Sequence, residues 1–199
     1  MAHIDYFLST ISPFTYFAGL RLEEIAAKHG ATIAYKPIDI IALFGRTGGT
    51  PPGQRHQNRQ DYRLQELARA SSKTGLPYHE KPAHFPTNAA PSSYAVIAAQ
   101  KAGGGDLGKL CHSLLAAVWA EQKDIAEDAV IKACLEGAGF DPALADTGLL
   151  TGAEIYPANL EEAVEKGVFG APFYVVDSGQ VFWGNDRLDD LDAHLDGRL

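Results

Sequence analysis

Cysteine is scarce in this chain. Its 199 residues include two, Cys111 and Cys134. They stand far apart, so no Cys-x-x-Cys pair is present to carry dithiol exchange. Both fall in apolar, helical patterns and are expected to be buried small side chains. A disulfide between them is not expected in a reducing compartment. Basic residues are also few: 17 Lys and Arg stand against 25 Asp and Glu, for a net charge of −8. That balance argues against a nucleic-acid groove or an anionic membrane surface as partner. No apolar run approaches the roughly 20 residues that span a bilayer. The start, Met1-Ala2-His3-Ile4-Asp5, lacks the basic residues and long apolar stretch of a signal peptide. A cytoplasmic protein is the expectation. The seven histidines are scattered, and His79 and His84 are separated by a proline-rich loop, so no metal site is expected.

The remaining pattern is informative. His3–Leu8 reads as a strand. Residues 13–29 carry apolar residues at helical spacing, with Pro13 at the favoured first position and Gly30 as the stop. A second strand follows over 31–38. Strand, helix and strand of these lengths predict a parallel βαβ unit. Residues 45–53, rich in Gly, Pro and Thr, read as loop. Helical patterns then fill 55–74, 88–102, 106–122, 126–137, 142–147 and 151–166. A hairpin signal closes the chain, Pro172–Asp177 and Gln180–Trp183 around Ser178-Gly179, followed by a helix from Asn185 to Leu195. This order predicts an α/β thioredoxin-like fold with a large all-helical insertion. The expected division is 1–42 with 155–199 as the thioredoxin-like part, and 43–154 as the inserted helices.

Three places can carry chemistry. Ser12 stands between the first strand and the following helix, where backbone N–H groups favour an anion. With no cysteine there, its hydroxyl can hydrogen-bond a thiolate brought by a ligand, or it can simply cap the helix. Ala171-Pro172 precedes the last hairpin; a cis bond there would present Ala171 to an extended peptide. Asn185 and Asp186 open the final helix, where they can hold a carboxylate and an ammonium or act as ordinary caps.

Together these residues carry a resemblance. Phe7-Leu8, Ile11-Ser12-Pro13-Phe14, Tyr16 and Ala18, then Val168-Phe169-Gly170-Ala171-Pro172, then Trp183-Gly184-Asn185-Asp186-Arg187-Leu188 are similar to the 2-hydroxychromene-2-carboxylate isomerases. That family is of DsbA-like thioredoxin type and close to the kappa-class glutathione transferases. The resemblance implies glutathione as cofactor, with Ser12 beside its sulfur, Ala171 and Pro172 along its peptide, and Asn185 and Asp186 on its γ-glutamyl end. It further implies Arg59 in the place of a family lysine, although Arg and Lys are not interchangeable. Asn88 resembles an asparagine of relatives. Phe14, Tyr35, Lys36, Asn88 and Trp119 are the residues expected around a small aromatic substrate bearing a carboxylate. Reversible thiolate addition, converting 2-hydroxychromene-2-carboxylate to trans-o-hydroxybenzylidenepyruvate in naphthalene-type catabolism, is the implied activity, and a homodimer the implied assembly. A kappa-like transferase and a non-catalytic glutathione- or peptide-binding module are the alternatives. Dithiol chemistry is excluded, since Ser12 and Thr15 stand where cysteines would be required.

Overall fold

A computed structural model describes residues 1–199. Strand β1 (His3–Leu8) lies where the pattern puts it. The helix expected over 13–29 is instead two, α1 (Pro13–Ala18) and α2 (Arg21–His29). Gly19 makes the break: its φ of +60° ends α1, and its N–H closes back on the Tyr16 carbonyl. Strand β2 (Thr32–Pro37) then pairs parallel to β1, from His3 opposite Thr32 to Leu8 opposite Pro37.

A second difference follows. Residues 40–47, partly assigned to loop from the sequence, form helix α3 (Ile40–Thr47). Asp39 starts it by accepting from the Ile41 and Ala42 N–H groups, both at 3.0 Å. Its apolar run is too short for periodicity to separate helix from strand, which is why the pattern did not announce it. Next come α4 (Gln57–Thr74), α5 (Ala90–Ala102), α6 (Leu107–Trp119), α7 (Asp128–Gly137), α8 (Leu144–Thr147) and α9 (Leu149–Glu165). Residue 42 falls inside α3 and residue 155 inside α9, so the helical block is entered and left along continuous helices. Strands β3 (Phe173–Val176) and β4 (Val181–Trp183) form the closing hairpin. Residues 185–187 make a 3₁₀ turn, and the last helix, α10, spans Leu188–Leu195, three residues later than its expected start.

The sheet runs β2-β1-β3-β4, with β3 antiparallel to both of its neighbours. Alternation along the strands gives it two unlike faces. Ile4, Tyr6, Leu8, Tyr174 and Val176 point into one large core shared with α1, α2, α6 and α10. There Tyr6 stacks on Tyr174 at 5.3 Å and meets Tyr35 edge-on at 5.7 Å. Phe7 and Phe173 point the other way, into a smaller core with Leu43, Ala163 and Val168 under α3 and α9. Asp5 shares that second face, paired with Lys36 at 3.1 Å and with Lys166; Lys36 also reaches Glu162 at 2.5 Å.

Two side chains tie the helical block to the sheet edge. Gln100 on α5 brackets Tyr35, accepting from its N–H at 2.7 Å and donating to its carbonyl at 3.0 Å. Asn159 on α9 donates to the Pro37 carbonyl at 3.0 Å. Edge-strand groups that would otherwise be open to another chain are thereby satisfied internally. Both cysteines are free thiols. Burial pushes the Cys111 thiol well above its ordinary range, and burial also pushes Cys134 up, to about 11. No helix is long and apolar enough to cross a membrane.

Candidate active site

Ser12 is the residue before α1, in extended conformation, with only 8% of its surface exposed. Three hydrogen bonds fix it. Its N–H donates to the Ser9 carbonyl at 3.0 Å. Its Oγ accepts from the Thr15 N–H at 3.2 Å, the usual capping bond. The hydroxyl proton is directed to the Ala171 carbonyl at 3.1 Å, across 159 residues of chain. Ser12 is therefore both a cap and a cross-link to the second motif.

The Ala171-Pro172 bond is cis. With its carbonyl held by Ser12, Ala171 leaves its N–H without a hydrogen-bond partner. The segment is shaped from below by Gly170. A β-carbon there would run into the Trp183 indole. Phe169 packs edge-on against Phe173 at 5.1 Å and Trp183 at 4.9 Å, which holds the approach to the proline. From the far side the Gly184 N–H donates to the Pro172 carbonyl at 3.0 Å. Gly184 has φ +111°, and a β-carbon would press on Asp186 Oδ1, so glycine is required for the chain to turn here. The turn at 185–187 packs against α1. Ser12 thus forms one lip with Ala171-Pro172 and Asn185-Asp186, which follow it by 159 residues and more in sequence. Asp186 is exposed, beside Arg187 at 3.3 Å. Asn185 is half-buried.

The loop beneath Ser12 is anchored by a group that sequence reasoning did not single out. Thr10, fully buried, shares a hydrogen bond with Ser92 at 2.9 Å and donates to the Ala89 carbonyl at 3.4 Å. This brings the start of α5 to the site. Asn88 stands there, exposed, its Oδ1 accepting the Ala90 N–H at 3.1 Å. The small polar runs Ser9-Thr10 and Ser92-Ser93 were the available signal, but nothing local says that they meet. The hydroxyls of Ser9 and Thr15, both buried, have no partner. Phe14 is half-buried in the first turn of α1, against the large core. Arg59 is exposed near the start of α4, which packs on α1.

Tyr35, Lys36 and Trp119, also expected around the substrate, are each engaged in other contacts. Tyr35 is in the large core, its hydroxyl donating to Glu23 at 2.7 Å. Burial pushes the Glu23 carboxyl up despite that bond. Lys36 is committed to Asp5 and Glu162 on the other face of the sheet. Trp119 is 1% exposed at the end of α6, packed against Phe85 at 4.8 Å. Each is held by a partner remote in sequence, so strand or helix pattern alone could not direct it.

A model for the DSBA-like thioredoxin domain matches residues 3–196. The chain is 31% identical over 195 residues to the 2-hydroxychromene-2-carboxylate isomerase of Sphingobium xenophagum, covering 96% of this chain and 97% of that protein. It is 29% identical to the same enzyme of Pseudomonas putida, covering 98% and 95%. Among solved structures, a 2-hydroxychromene-2-carboxylate isomerase superposes with a TM-score of 0.77 at 25% identity, over 98% of this chain and 95% of that one. The cytosolic disulfide reductase DsbM from Pseudomonas aeruginosa, solved with GSH, superposes at 0.72 and 19% identity, over 98% of both chains, and so shares the fold. The chain belongs to the DSBA-like thioredoxin domain family and, with its curated relatives, to the 2-hydroxychromene-2-carboxylate isomerases.

Proposed function

We propose that the protein is a glutathione-dependent isomerase of 2-hydroxychromene-2-carboxylate in aromatic (naphthalene-type) catabolism, acting in the cytoplasm as a homodimer. One observation carries the cofactor: the Ser12 hydroxyl donates to the Ala171 carbonyl at 3.1 Å while the Ala171 N–H has no partner. A peptide backbone laid along Ala171 can donate its own N–H to the Ala171 carbonyl and accept at its own C=O from the Ala171 N–H. The site motifs also carry no thiol of their own: the two cysteines stand on α6 and α7, and both resist ionisation. These features fit a tripeptide that brings its sulfur with it. Asn185 and Asp186, on the turn that packs against α1, are suited to its zwitterionic γ-glutamyl end.

When bound, glutathione supplies a nucleophilic sulfur whose reversible addition to the enone lets its double bond rotate. What the chain contributes is a switch in the direction of one proton. At rest the Ser12 O–H faces Ala171. A peptide N–H arriving at that carbonyl takes over the acceptor, and the hydroxyl is released to turn toward the sulfur. A thiol left to itself has a pKa of about 8.5 and is mostly protonated at neutral pH. A hydroxyl donor stabilises the thiolate, and the nearby Thr15 N–H keeps Oγ in place while the proton rotates.

The test is turnover of the chromene carboxylate with and without glutathione, following free thiol in parallel. The reading requires product formation that depends on glutathione with no loss of thiol. Stoichiometric loss of thiol would make the protein a conjugating transferase, and turnover without glutathione would remove the cofactor from the mechanism. Ser12→Ala is expected to lower kcat by about 10²–10³, with a smaller effect on glutathione binding measured by calorimetry.

A further inference from the structure

Most cations in this acidic protein have an acidic partner. Arg46 pairs with Glu161, Arg69 with Glu66, Lys132 with Asp146, and Lys28 with Asp192. A group of three arginines does not. Arg55 donates only to the Thr50 carbonyl, at 2.7 Å, and lies over the Phe44 ring at 5.5 Å. Arg59 and Arg63 stand four residues apart on α4, which puts them on one side of the helix; Arg55 lies just before the helix, near enough for its charge to act on both. Neither Arg59 nor Arg63 forms an ion pair or a hydrogen bond to any protein group.

Arg63 is the anomalous member. It continues the stripe of Leu67 and Ala70, the residues α4 buries, so it faces the body of the protein rather than the solvent. It is half-buried there. Burial and the neighbouring Arg55 both make its charge harder to hold, and no carboxylate offsets them. The acids within reach along the helix are occupied: Glu66 by Arg69, and Asp61 by Gln57 at 2.8 Å. Helix α1, against which α4 packs, carries no acidic residue. A half-buried guanidinium without an acceptor is destabilising in the free protein. It is stabilising only when an anion arrives, and its planar fork suits a carboxylate.

We propose that Arg55, Arg59 and Arg63 form a carboxylate site on the side of α4 that meets α1, and that Arg63 is its inner, specificity-determining member, receiving the carboxylate of the aromatic 2-oxo acid. This deepens the isomerase reading and rests on it for the identity of the ligand. Arg59, at the exposed rim, remains the member assigned to glutathione. The same chemistry is offered by the glycyl carboxylate of glutathione, so the experiment separates the two sources.

Wild type, Arg63→Gln and Arg63→Lys are titrated by calorimetry with phenylpyruvate and, separately, with glutathione. Lys132→Gln, which removes a paired cation on α7, is the control. Phenylpyruvate binding is expected to weaken by about tenfold or more in Arg63→Gln and to be partly restored in Arg63→Lys. Glutathione binding is expected to change less than about twofold. In turnover, KM for the chromene carboxylate rises and kcat is kept. Without ligand, Arg63→Gln should melt at or above the wild-type temperature; a purely structural arginine would give a fall. Unchanged phenylpyruvate binding in Arg63→Gln overturns the proposal. Loss of glutathione binding alone also overturns it, giving Arg63 to the glycyl carboxylate. Failure of the wild type to turn over the chromene, with Arg63-dependent phenylpyruvate binding intact, sinks the isomerase reading and leaves the arginine site standing.

Discussion

The two faces of the sheet solve the same problem with different materials. The face toward α2, α6 and α10 is filled by aromatic and aliphatic side chains, and even its tyrosines are drawn into the core. The face toward α3 and α9 has a small apolar patch and completes itself with Asp5, Lys36, Glu162 and Lys166. Shape holds the first face, and matched charge holds much of the second. The second should therefore lose stability in acid. The site lip stands at the end of β1, where the chain leaves both faces, and is positioned by backbone and hydroxyl hydrogen bonds rather than by either core.

That contrast can be broken most severely on the dry face. Tyr174 is fully buried, and Tyr174→Ala is expected to cost about 3–5 kcal/mol of stability, read by urea denaturation at neutral pH. On the charged face, Asp5→Ala leaves Lys36 and Lys166 short of one acceptor, with Glu162 still present; a loss of about 1–3 kcal/mol is expected by the same measurement.

The charged face also has a predicted pH signature. Burial raises the Asp5 carboxyl, but hydrogen bonds from Lys166 and Lys36 outweigh it and hold the group below its ordinary value. The same balance lowers Glu162. A depressed folded value means stability that is complete above the unfolded carboxylate range, about pH 4. It is lost as pH falls through the lower folded values. Denaturation midpoints taken from pH 6 down to pH 3 should fall less steeply in Glu162→Gln than in the wild type; parallel curves would remove the charge cluster from the account. The smallest effect returns to the dry face. The Tyr174 hydroxyl is buried without a partner. Tyr174→Phe is expected to be neutral or to stabilise by up to about 1 kcal/mol, a sign opposite to that of ordinary core truncation.

How much of this was legible in the sequence depended on where the determining contacts lie. The first strand, the long helices of the insertion and the closing hairpin are announced by local periodicity and turn residues. The break at Gly19 was not, because a single glycine within a continuing apolar pattern looks like a tolerated one. Ser12, Ala171-Pro172 and Asn185-Asp186 could be singled out because each sits at an element boundary, where the local sequence states the geometry. Tyr35 and Lys36 are neighbours on β2 that point to opposite faces, and their fates are decided by Glu23 on one side and Asp5 and Glu162 on the other. Thr10 needed Ser92, eighty-two residues away, before it meant anything. Arg63 was invisible for the opposite reason: its significance is a missing partner, which only a complete set of neighbours reveals.

If glutathione is the cofactor, as proposed, the guarded state of the two cysteines has a consequence. Exchange with a disulfide begins from a thiolate. A thiol with a pKa of about 11, as at Cys134, is ionised in only about one molecule in ten thousand at pH 7, and Cys111 is more reluctant still. A drift of the surrounding pool toward oxidised glutathione would then find nothing on this chain to cap. Under the proposed glutathione dependence, the protein's capacity to work would follow the supply of reduced glutathione, and it would recover as that supply did, with no repair step on its own thiols.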